Sequence, residues 1–93
     1  MVRLKLTFPP SQTIQTIVEA GAGRVISVTL THDLPTPQVI AFYDRHNLRI
    51  MEYEMRPIGF PCAITLANRD AFTFDNGLKV NTGHCELQLA VAY

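Results

Sequence analysis

The side chains able to do chemistry in this chain are few. They are the histidines His32, His46 and His84, the cysteines Cys62 and Cys85, and the carboxylates Asp33, Glu52 and Glu54. His32-Asp33 precedes Thr36-Pro37-Gln38, where a strand is expected to end and a helix to begin. If Thr36 caps that helix, the N–H groups of Gln38 and Val39 and the positive end of the dipole face outward, a suitable seat for an anion. His32, Asp33, Thr36 and Gln38 are therefore the candidate ligand-binding residues. The plainer reading, and the favoured one, is a polar turn in which Asp33 bonds its own backbone.

The other groups have plainer readings still. His46 falls on the apolar face of the expected helix, where a boundary histidine near a helix C-terminus is favoured over a base or metal ligand. Glu52 and Glu54 are two apart on a strand, so their carboxylates share a face. Met51, Tyr53 and Met55 hold the other face, which makes the glutamates the wet side. Cys62 and Cys85 sit among inward-facing strand residues and read as small core hydrophobes. His84 adjoins Cys85, but neighbours on a strand point to opposite faces, so it is poorly placed to activate that thiol. No metal spacing is present. No catalytic residue, metal or cofactor is assigned.

These residues need elements to hold them. VRLKLTF alternates as a half-buried strand and ends at Pro9-Pro10. Ser11 can cap a short helix with Ile14, Ile17, Val18 and Gly21 on one face, stopped by Gly21 and Gly23. RVISVTLT is the next strand, with Ile26, Val28, Leu30 and Arg24 sharing a face. Thr36 can cap a second helix with Pro37 at its first position and 38–46 following, after which Asn47 takes the left-handed conformation. LRIMEYEM, CAITLA and AFTF read as strands, with a turn through Pro57, Gly59 and Pro61. A three-residue loop at Asp75-Asn76-Gly77 places Phe74 opposite Leu78 and Phe72 opposite Val80, all on one face, with Gly77 at positive φ. The final strand carries Cys85, Leu87, Leu89, Val91 and Tyr93 on one side. From Ala90 onward both of its sides are apolar. The expected core is Leu4, Leu6, Ile17, Val28, Phe42, Met51, Ile64, Leu87 and Leu89.

The fold class expected from this order is α+β, a single domain over 1–93. It has one mixed or largely antiparallel sheet of five to six strands and two helices packed on one face. Residues 24–67 resemble in rhythm the ACT-like ligand-sensing domains: a strand, the turn His32-Asp33-Leu34-Pro35-Thr36-Pro37, a helix, and a strand entered through Asn47-Leu48-Arg49-Ile50. The similarity covers under half the chain, lacks the Pro-Gly pair such turns often carry, and has no second helix after 61–67. No family is drawn from it.

Eight basic and eight acidic residues give a formal charge of zero, with no run of like sign. The field that phosphate backbones demand is missing, and no aromatic residues interleave with a basic stripe, so no nucleic-acid partner is expected. No apolar window approaches the ~20 residues of a membrane helix, so no membrane partner is expected either. With no export signal pattern, reduced thiols in the cytoplasm are the default expectation, a Cys62–Cys85 bridge being the alternative. The charged fraction is only 17%, against about 25% in an average domain. That shortage of polar cover favours association. The leading functional expectation is a non-catalytic protein-interaction module that self-associates, most simply as a homodimer, with Ala90, Val91, Ala92 and Tyr93 as its interface. The alternative is a small-molecule or anion-binding sensing domain using the 32–38 turn. A third reading is a small enzyme with His32 or His46 as base, assisted by Asp33, Glu52 or Glu54.

Overall fold

The computed structural model describes residues 2–32, 34–55 and 62–93. Alternation along the first strand comes out as read. In β1 (Arg3–Phe8), Leu4, Leu6 and Phe8 are half-buried while Arg3, Lys5 and Thr7 are exposed. Seven more strands follow: β2 (Gln15–Val18), β3 (Gly23–His32), β4 (Gln38–Tyr43), β5 (Arg49–Met55), β6 (Cys62–Phe74), β7 (Leu78–Asn81) and β8 (Glu86–Ala92). They form two four-stranded sheets, ordered β1-β8-β3-β6 and β2-β7-β4-β5. Every pairing is antiparallel.

The α+β expectation is overturned: no helix occurs among the described residues, and the two expected helices are strands β2 and β4. The reason is local. Thr16, Ile17 and Val18 are β-branched, and Val39, Ile40, Phe42 and Tyr43 are β-branched or aromatic, types that fit a pleated, half-buried surface. QVIAFY is six residues long, the length of a strand, and a short apolar run has no periodicity to separate the two states. In β4 the period is 2: Ile40 and Phe42 are fully buried, with Val39 and Tyr43 on the other side. The Pro37 signal serves equally well at a strand start. Without the helix at 38–46, the likeness to ACT-like domains disappears.

The pairs β1·β8, β2·β7, β3·β6 and β4·β5 nest inside one another, like one long hairpin rolled up. The pairings β3·β8 and β4·β7 then complete the two sheets. Eight strands in this double-sheet order are a jelly roll. Between the sheets lies a core of Val25, Val28, Leu30, Leu87, Leu89 and Val91 from the first sheet. It meets Val18, Ile40, Phe42, Leu78 and Val80 from the second. Of the core expected from sequence, Val28, Phe42, Leu87 and Leu89 are buried. Leu4, Leu6, Ile17 and Met51 pack partly buried against them. The Ile64 and Cys62 side chains and the 57–61 turn lie outside the described residues.

Two register readings change. The loop at 75–77 has three residues and Gly77 has φ 76°, as expected. It does not close a hairpin, however. Phe74 pairs with Gly23 in one sheet and Leu78 with Val18 in the other. The four apolar side chains share one core by facing it from opposite sheets. In β3 a bulge separates Val25 from Ser27, which sit opposite Val91 and Ala90 respectively. The extra residue, Ile26, leaves the core face, and Val25 takes the buried position assigned to it.

Candidate functional site

The predicted ligand residues occupy one end of the sandwich but do not form the expected seat. His32 ends β3 and is 4% exposed; its Nδ1 accepts from the Leu34 N–H at 3.1 Å. With Nδ1 accepting, the neutral ring carries its proton on Nε2, which has no hydrogen-bond partner among the described residues. Asp33 lies outside the described residues. Gln38 donates from Nε2 to the Thr36 carbonyl at 3.2 Å and to its hydroxyl at 3.0 Å. Gln38 opens a strand rather than a helix, so there is no helix dipole for an anion to meet.

The residues of the enzyme reading are not brought together. His32 faces the core, while Glu52 and Glu54 are exposed on the edge strand β5 of the other sheet. Glu52 is paired with Arg49. His46 lies in the β4–β5 turn, where Asp44 Oδ1 accepts from the N–H groups of His46 and Leu48 at 2.8 and 3.0 Å. Asn47 has φ 62° there, so its left-handed conformation belongs to a strand-to-strand turn and not to a helix end. No group of three metal-ligating side chains occurs among the described residues. The strand order also separates the cysteines. β8, which Cys85 immediately precedes, and β6, which begins at Cys62, flank β3 on opposite sides. Two inter-strand spacings are roughly 9–10 Å, beyond the ~7 Å between Cα atoms that a disulfide spans.

The interface prediction meets a different geometry. β8 is internal, paired on both sides, so its edge is not open to another chain. Val91 and Ala92 are fully buried. Ala90 turns outward, half-buried, and Tyr93 is 40% exposed. The two-sided apolar ending is thus explained by a central strand, one of the solutions its pattern allowed.

Around Ala90 the outer face of the first sheet holds a trough. Arg3, Lys5 and Thr7 of β1 form one wall; Ile26, Ser27 and Thr29 of β3 form the other. Ala90 is its floor because a methyl group stands between two rows of longer side chains. The bulge in β3 turns Ile26 into this trough beside Leu4 and Ala90. Bulges commonly re-aim a side chain in this way. The sequence reading missed Ile26 because alternation continues unbroken through it. Charge is uneven on this face. Arg3 and Lys5 lie at one end, level with Ala92 and Ala90, and Glu86 lies at the other, level with Thr31.

The second sheet has its own outer groove, lined by Gln12, Gln38, Tyr43, Arg49, Asn81 and His84, among others. The Arg49 guanidinium sits 5.9 Å from the centre of the Tyr43 ring. Its hydrogen bond to Tyr43 and the neighbouring Glu52 hold it above its ordinary value, so it is charged throughout the working pH range. No helix among the described residues is long and apolar enough to cross a membrane. No protein-family model matches the chain, and no curated protein is similar enough to count as a relative.

Proposed function

We propose that this protein is a non-catalytic interaction module that binds a second copy of itself through the outer face of the β1-β8-β3-β6 sheet. The observation that carries this reading is the trough in which half-buried Ile26 and Ala90 form an apolar recess beside Arg3 and Lys5. The bulge leaves Ile26 half-buried on the outer face of the sheet, and apolar area still in contact with water there favours a covering partner. The charge layout favours a second copy as the cover. Lys5 is level with Ala90, and Glu86 is four residues further along β8. A two-fold axis across the strands at the level of Gln88 places each Lys5 over the partner's Glu86 end. Closed two-fold dimers repeat one contact twice in this way.

Sedimentation equilibrium tests it. The wild-type chain is expected to run as a dimer at micromolar concentration, and Lys5→Glu as a folded monomer. Adding Glu86→Lys to that variant should restore the dimer. A wild-type monomer, or a dimer indifferent to Lys5→Glu, overturns the reading.

A further inference from the structure

The groove on the opposite sheet lies away from the face proposed for self-association, and its polar groups are arranged for a different occupant. Three primary amides reach it from separate segments: Gln12 between β1 and β2, Gln38 on β4 and Asn81 on β7. Two of them are already oriented. Gln38 spends its Nε2 on Thr36, at 3.2 Å to the carbonyl and 3.0 Å to the hydroxyl, which fixes the amide plane and keeps Oε1 to accept. Asn81 Oδ1 accepts from the Gly83 N–H at 3.1 Å, which keeps Nδ2 to donate. One fixed acceptor and one fixed donor match neighbouring hydroxyl groups, each of which donates and accepts. Such prior ordering lowers the entropy cost of binding.

The floor and the charge balance narrow the class. Ala41 pairs with Asn81 on one side and Glu52 on the other, yet is only 7% exposed, because longer side chains overhang it. The groove encloses about 280 Å³, near the lower bound of roughly 300 Å³ for small-molecule sites, room for one or two rings. Arg49 is the charged residue among its described lining, and Glu52 neutralises it. An anion would have to displace that carboxylate, whereas a neutral ligand leaves the pair intact. We propose that this groove binds a neutral polyhydroxylated ligand, one or two sugar rings in size, either free or at the end of a glycan chain.

The side-chain NH2 signals of Gln12, Gln38 and Asn81 in a ¹⁵N–¹H spectrum read the site directly. Glucose, galactose, N-acetylglucosamine and lactose are titrated in, with inorganic phosphate as the anionic probe and the same sugars presented on an immobilised surface. Saturable shifts of Asn81 and Gln38 with a sugar, undiminished in molar salt and lost in a folded Asn81→Ala variant, are the expected result. Shifts with soluble sugar assign a free saccharide; retention only on the immobilised sugars assigns a chain end. The proposal is overturned if no sugar shifts these signals and none retains the protein. It is equally overturned if phosphate shifts them more strongly than any sugar and salt abolishes the effect. Because the groove lies on the opposite face, the Lys5→Glu variant should bind sugar as the wild type does.

Discussion

Thr82 is fully buried and polar, a combination that requires partners. Its Oγ1 accepts from the Ser11 N–H at 3.0 Å and donates to the Pro9 carbonyl at 3.2 Å, pinning the β1–β2 loop to the end of β7. Thr82→Val keeps the shape and removes both bonds, leaving a partly buried N–H and C=O unsatisfied. A loss of about 1–3 kcal/mol in urea unfolding is expected, and a change near zero would mean water replaces the hydroxyl. Nothing in the sequence singles out this threonine, because its partners are more than seventy residues away. Gly77 is the opposite case. Asp-Asn-Gly announced a positive φ, and the structure shows it. A Cβ there would also stand 3.0 Å from the Glu19 carbonyl and from Arg45 Cβ. Gly77→Val should therefore cost about 1–3 kcal/mol by the same measurement. Thermal or urea stability equal to wild type would show that the loop rearranges freely.

At the scale of elements, β1, β3, β5 and β8 were legible because each alternates, and alternation is the physical signature of a half-buried strand. β2 and β4 were misread because capping residues and a proline suit either state, and which one forms depends on whether a neighbouring strand supplies hydrogen bonds. β4 has β5 and β7 on its two sides, and a helix there would leave β5 without its sheet partner and open one edge of β7. The 74–78 link was correct in length and in the conformation of Gly77, yet wrong in pairing. Inward-facing side chains satisfy the same core whether their strands are paired or opposed. Strand order also fixes the chemistry of the cysteines. With β3 between the strands that carry them, Cys62 and Cys85 should both react as thiols. Thiol titration in denaturant, after the purified chain is held under air, is expected to find both. Finding neither, with an unchanged monomer mass, would contradict the strand order.

The whole molecule is a set of nested pairings whose outermost members, β1 and β8, join the two ends of the described chain. Such non-local pairing must close long loops before contacts repay the entropy, so refolding from urea should take roughly milliseconds to seconds. Single-exponential refolding in microseconds would be incompatible with this topology. Leu87 is fully buried in the central strand of the first sheet, and Leu87→Ala should cost on the order of 2–5 kcal/mol of the folding free energy. The sequence by itself determined which residues are inward on the alternating strands, where several tight turns lie, and that charge is sparse and balanced. Those properties depend on neighbours along the chain and on composition. Tertiary structure decided the sheet partners, the turning of Ile26 to the outer face by a bulge, the burial of Thr82 and the gathering of Gln12, Gln38 and Asn81 around one groove. Each of these depends on residues far apart in the chain, and local pattern carries no information about which distant strand comes to lie beside another.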